Sequence, residues 1–266
     1  MNEEFFKYSI RTYPARYVGT PELIGDKFVR TLDALSTIDP PMFSSWQVVD
    51  LPAKDSVPLE IARARIGAMI ENNVVRDDWG EPSPSYGYNA MASTSDGERS
   101  RHFHLWVNAG GKHDGQIWLQ TGAHQVPADP SIVSYPIFKA ALLVLVANWP
   151  VPWMCAHAFK SNYSIVPVHG GAGYMLESRP MLPQEPPFPR SPFFIPWIGY
   201  LSPTLSVGVT LSPEIAAERT PNGGLLMIAT EDRLDPANSE HLRRARIIAE
   251  TMIACTGYQP GGAMRI

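Results

Sequence analysis

The sequence predicts an α+β fold: one domain over residues 1–266, with a mostly antiparallel sheet and several packed helices. Three observations carry that prediction. Gly223-Gly224 opens a continuous apolar run, Leu225 to Ala229, of the length and character of a strand buried on both faces. Tyr86 to Ser93, Arg101 to Val107 and Gln116 to Gln120 read as three successive strands. Their connections, Ser95-Asp96-Gly97 and Asn108 to Gly115, are rich in turn residues, as in an antiparallel meander. Helical and strand patterns alternate with no regular strand–helix–strand beat, which argues against a parallel sheet.

In chain order, Tyr8 to Val18 carries aromatic and β-branched residues interrupted by Pro14, the pattern of an edge strand or a strand pair. Thr20-Pro21-Glu22 then supplies a cap, a first-position proline and a first-turn acid. Ile24, Phe28, Leu32, Leu35 and Ile38 follow at helical spacing until Asp39-Pro40-Pro41 ends the helix. Gln47 to Val49 is a short strand candidate. Asp55 or Ser56 is read as the cap of a second helix with Pro58 in its first turn. Ile61, Ile66, Met69 and Ile70 form its buried side, and Asn72-Asn73 its end. Tyr135-Pro136 to Trp149-Pro150 brackets a helix that is apolar nearly all round, hence one deeply buried.

Ser164 to Val168 and Tyr174 to Leu176 are short strand candidates around a glycine turn, Gly170 to Gly173. Pro180 to Pro203 is proline-dense but too rich in Phe and Trp for a flexible linker. It is read as a surface arm held by Phe188, Phe193, Phe194 and Trp197, with strand character resuming at Trp197 to Leu201. After the apolar run, Asp235-Pro236 reads as a helix start. Leu242, Ala245, Ala249 and Met252 share one face, with Gly257 as the stop.

The composition is that of an ordinary globular protein, 44% hydrophobic and 18% charged over 266 residues. A net charge of −4 favours a basic protein partner over nucleic acid. The two cysteines, Cys155 and Cys255, sit in apolar surroundings and read as reduced thiols. The first residues are acidic where a signal peptide would be basic, and no apolar run is long enough to span a membrane. The cytoplasm is the expected compartment, and no cofactor is expected.

Candidate chemistry is sparse. His102 and His104 stand two apart on a predicted strand, so both rings can face one ion, with His113 and His124 downstream. Two solvent-facing histidines explain the pair without a metal, and zinc sites normally declare three or four closely spaced ligands. Gly170 to Gly173 lacks the Lys-Ser/Thr ending of a phosphate loop. No Gly-x-Ser-x-Gly elbow occurs, and Cys155 and His157 are too close in sequence to imply a dyad. Glu231, Asp232 and Asp235 read as capping and solvated carboxylates. Glu240 and Glu250 dilute the Arg243, Arg244 and Arg246 cluster.

Asp77-Asp78-Trp79-Gly80-Glu81 is a different pattern: one large aromatic among three acids, the anchor-plus-charge signature of protein recognition. Two placements are open for the indole, exposed in the loop or folded back into the core.

Three stretches carry a family likeness: Phe28 to Trp46, Trp197 to Ser202, and Gly223 to Leu226 continuing through Leu234-Asp235-Pro236 to Arg246. In their order and spacing the chain resembles the immunity protein 52 family of bacterial polymorphic-toxin loci. That resemblance implies a non-enzymatic, stoichiometric inhibitor of a cognate toxin, often a restriction-endonuclease-like nuclease, in some cases delivered by type VI secretion. It assigns no catalytic or metal-binding residue. Asp77, Asp78, Trp79 and Glu81 are then the candidate toxin contacts, and neither nucleic acid nor membrane is an expected partner. The competing reading is a small metal-dependent enzyme built on His102 and His104.

Overall fold

A computed structural model describes residues 5–15, 17–51, 53, 55–94, 99–112, 115–122, 127–160, 165–167, 174–176 and 195–256. In chain order the elements are β1 (Phe6–Ala15), α1 (Pro21–Ser36), α2 (Pro40–Phe43), β2 (Trp46–Asp50), β3 (Asp55–Pro58), α3 (Leu59–Ala62), α4 (Ile66–Asn72), β4 (Tyr88–Thr94), β5 (Phe103–Ala109), β6 (Gly115–Thr121), α5 (Tyr135–Asn148), β7 (Trp153–Lys160), β8 (Ile165–Pro167), β9 (Tyr174–Leu176), β10 (Ile195–Leu201), β11 (Ala216–Arg219), β12 (Leu225–Ile228) and α6 (Ser239–Thr256). Ten strands form one sheet in the order β11-β12-β10-β7-β1-β6-β5-β4-β2-β3, while β8 and β9 pair separately. Every adjacent pair is antiparallel. The α+β, antiparallel class read from the sequence is the one observed.

The sheet buries both faces at one end. Ile10, Leu105, Val107, Ile117, Leu119, Ile198 and Tyr200 point to the side where α1 and α5 supply Phe28, Leu32, Phe138, Leu142 and Leu145. Leu201, Leu225 and Met227 point the other way, onto Ile248 and Met252 of α6. Because successive strand residues alternate faces, Leu225 to Ile228 must be apolar throughout, and all four are buried. Two buried polar groups of the larger core find partners, the Tyr8 hydroxyl donating to the Leu234 carbonyl at 2.7 Å and Trp149 Nε1 to Thr31 Oγ1 at 3.0 Å, whereas Trp46 Nε1 has none.

Four expectations require correction. β1 is central, between β7 and β6, and not an edge strand. Its alternation of Lys7, Ser9 and Arg11 with apolar residues looks half-solvated, yet all three are buried. Its irregularity is confined to a register shift between Thr12 and Ala15, around Pro14. Asp55 to Pro58 is the edge strand β3, not a cap and first turn. Pro58 has ψ of 143°, so helical geometry begins only at Leu59 and is interrupted by a 3-10 turn at Arg63–Arg65. Ile61 consequently points outward and is 58% exposed, while Ile66, Met69 and Ile70 are buried as expected.

The last correction concerns the final helix, which starts at Ser239. Asn238 Oδ1 accepts the amides of Glu240 and His241 as its cap. Asp235 accepts the Ala237 amide in the turn before it. Trp197 is fully buried inside β10, with Nε1 donating to the Thr230 carbonyl at 2.9 Å. Phe188, Phe193 and Phe194, with Gly170 to Gly173 and Gly257, lie outside the described residues.

Candidate functional site

The chain between α4 and β4 builds a small hairpin from its own backbone. Asn73 closes α4 and is held by Leu51, whose amide donates to Asn73 Oδ1, and by Val49, whose carbonyl accepts from Asn73 Nδ2. From there Val75 donates to Gly87 O at 2.9 Å and Ser83 donates to Val75 O at 2.7 Å, forming a stalk. Arg76 bridges Pro82, the Asp77 amide donates to Glu81 O at 2.9 Å, and the Gly80 amide donates to Asp77 O at 3.0 Å. That leaves Asp78, Trp79 and Gly80 as a three-residue tip. Gly80 has φ of 83°, the left-handed residue that such a hairpin requires.

Side chains lock the tip. Asp77 Oδ1 accepts the amides of Trp79 at 3.0 Å and Glu81 at 2.9 Å, and Arg76 Nη1 donates to Gly80 O at 2.7 Å. At its root the loop is clamped to the end of β5. The Lys112 amide donates to Ser85 O at 2.8 Å, and a Cβ on Gly111 would stand 2.5 Å from Ser85 O. Only glycine permits that approach.

The product is a tightly bonded loop with Trp79 at its apex, 85% exposed, the most exposed large hydrophobic side chain among the described residues. The indole does not fold back into the core. Asp78 and Glu81 are also exposed, whereas Asp77 is half-buried in its turn. The four residues singled out in the sequence are thus brought together, in two roles: Trp79, Asp78 and Glu81 face outward, and Asp77 holds the loop.

His102 and His104 are also brought together, with ring centres 6.3 Å apart. Both are half-buried, so they are not the solvent-facing pair expected. Their Nε2 atoms are buried without a hydrogen-bond partner. Burial, with His102 and Lys7 nearby, lowers the His104 pKa to about 4. Among the described residues no group of three or more His, Cys, Asp or Glu could hold a metal, and His113 and His124 lie outside those residues.

Neither the cysteines nor the arginine cluster assembles a site. Cys155 is buried, and burial pushes its thiol up to about 12, far from a reactive thiolate. Arg243 pairs with Glu240 and Glu214, and Arg244 with Glu240, which neutralises much of the basic cluster. A polar strip on β1, β6 and β5, including buried Lys7 and Arg11, went unread in the sequence. The one local clue was two basic residues alternating with apolar ones.

No protein-family model matches the chain, and no curated protein matches it. Among solved structures, its fold is similar to that of the Pseudomonas aeruginosa T6SS protein PA0821. The TM-score is 0.50, at 10% identity, over 92% of this chain and 73% of that one. At that identity the likeness is one of fold alone.

Proposed function

We propose that this protein is an immunity protein: it binds a cognate bacterial toxin and neutralises it. The toxin class that fits best is a restriction-endonuclease-like nuclease, with inhibition by occlusion of its cleft or of a surface it needs to assemble. The observation that carries this reading is the tightly bonded, acid-flanked hairpin presenting Trp79. Leaving an indole in water is unfavourable unless a partner covers it, and Trp is enriched among the residues that dominate binding energy. A nuclease must display positive charge to hold phosphates, and Asp78 and Glu81 flank the indole with the opposite sign. The net charge of −4 steers in the same direction. A fold similar to that of a T6SS protein agrees with a setting in type VI secretion, and so does the resemblance in the three sequence stretches.

The test is co-expression with the product of the neighbouring gene, followed by co-purification and a nuclease assay on the mixture. A stable complex without nuclease activity is the expected result. Trp79→Ala is expected to weaken it by roughly thirty-fold or more, the loss of a hot spot of about 2 kcal/mol. Full affinity in the Trp79→Ala protein would remove the hairpin from the interface.

A further inference from the structure

Six large hydrophobic side chains among the described residues are exposed: Val18, Leu23, Leu51, Ile61, Trp79 and Val207. Val18, Leu23 and Trp79 are linked by a short run of contacts at one end of the sheet. The Trp79 hairpin returns to the body of the protein at Ser85, whose carbonyl accepts the Lys112 amide at 2.8 Å. Just before Lys112, the Gly110 amide donates to the Tyr17 carbonyl at 2.6 Å, and Gly110 bridges Val18. A Cβ on Gly19 would stand 3.7 Å from Leu23 Cβ, so the first turn of α1 borders the same corner.

The hairpin tip alone is too small to hold a protein. A Trp side chain buries at most about 250 Å², whereas a stable interface covers about 800 Å² on each partner, a patch about 30 Å across. A partner that takes up the indole must therefore also rest on a flank of the hairpin. From Trp79 to the clamp at Ser85 is six residues, at most about 20 Å of extended chain, so both flanks fall within such a patch. On one flank Leu51, whose amide donates to Asn73 Oδ1, is 37% exposed. The other offers more apolar surface, with Val18 73% exposed and Leu23 51%. Asp26 lies one helical turn beyond Leu23 on the same face of α1, and Glu22 stands beside it; both are exposed. With Asp78 and Glu81 they make four exposed acids, against two exposed bases, Lys112 and the Arg76 that donates to Gly80 O.

We propose that the interface runs from the Trp79 tip over the Lys112 clamp to Val18 and Leu23. Its occupant is a basic protein, the toxin, with an apolar pocket for the indole and a second apolar contact rimmed by Lys or Arg for the start of α1. This surface presupposes the immunity role and adds the flank on which the toxin rests.

The probe is the product of the neighbouring gene, titrated calorimetrically into the full chain as wild type, Trp79→Ala, Val18→Ala/Leu23→Ala and Leu51→Ala. The substituted side chains are exposed and alanine suits the helix at Leu23, so melting temperatures are expected to stay close to wild type. The double variant is expected to bind about ten-fold more weakly or worse, and Leu51→Ala as wild type. Full affinity in the double variant, with Trp79→Ala weakened, overturns this surface and leaves the immunity role standing. So does a loss confined to Leu51→Ala and Trp79→Ala, which moves the toxin to the opposite flank. A dimer of the isolated chain that the double variant abolishes in sedimentation gives the surface to a second copy and likewise overturns the proposal. No binding by the wild type overturns the surface and the immunity role together.

Discussion

The carboxylate of Asp77 accepts two amides of its own loop, whereas that of the exposed Asp78 makes no such bond, so adjacent aspartates are expected to respond differently to substitution. Asp78→Asn removes a charge that acts through solvent, and its cost to toxin binding is expected at low salt and largely gone at high salt. Asp77→Ala unlocks the tip, and its cost is expected at both. Association kinetics at two ionic strengths checks this; identical salt profiles for the two variants would contradict the assigned roles.

His104 and His157 make a second prediction at this scale. Burial and neighbouring positive charge lower their pKa values to about 4 and about 3, from 6.5. The unfolded chain therefore takes up protons that the folded chain refuses. Their contribution to stability is complete above about pH 6.5 and is lost as pH falls toward 4 and then 3. Melting temperature is expected to hold from pH 8 to 7 and drop below 6.5, less steeply in His104→Gln.

Elements show where backbones meet too closely for side chains. At the crossing of α1 and α4, a Cβ on Gly25 would stand 3.1 Å from Ile66 Cγ2. Gly25→Val is expected to push the helices apart at a cost of about 1–3 kcal/mol, measured by denaturant unfolding. Gly111→Ala acts on the clamp beneath the Trp79 hairpin. Faster amide exchange at Ser83–Gly87 is the expected sign, and unchanged protection there would show that the clamp does not hold the loop.

Element identity was legible where it depended on neighbours in sequence. Thr20-Pro21 capped α1, and Tyr135 and Trp149 bracketed α5 as expected. Asp55 to Pro58 misled because a capping acid before a proline satisfies helix chemistry locally, while pairing with β2 decides the outcome. Whether Trp79 faced water, and which strands flanked β1, depended on partners distant in sequence. Ser9 meets His157, 148 residues away, and no local pattern encodes that.

At the scale of the whole molecule, two cores lie on opposite faces of one sheet and share its strands. β10 contributes Ile198 and Tyr200 to one and Leu201 to the other. They are expected to melt together. Ile248→Ala in the smaller core is expected to cost about 2–5 kcal/mol. It is expected to lower a single calorimetric transition, with tryptophan fluorescence and circular dichroism following the same curve. A separate early transition would show that α6 and its strands unfold independently.

The central place of β1 has a consequence for biosynthesis. This strand leaves the ribosome before both of its neighbours, residues 115–121 and 153–160. Synthesis must pass residue 160 before both of its hydrogen-bonding edges are covered. Until then a ribbon of open amides and carbonyls waits in a crowded compartment, where nascent chains of this kind need chaperone protection or fast downstream synthesis. Slowing translation between residues 121 and 153 is therefore expected to reduce the yield of native protein more than slowing it after residue 201.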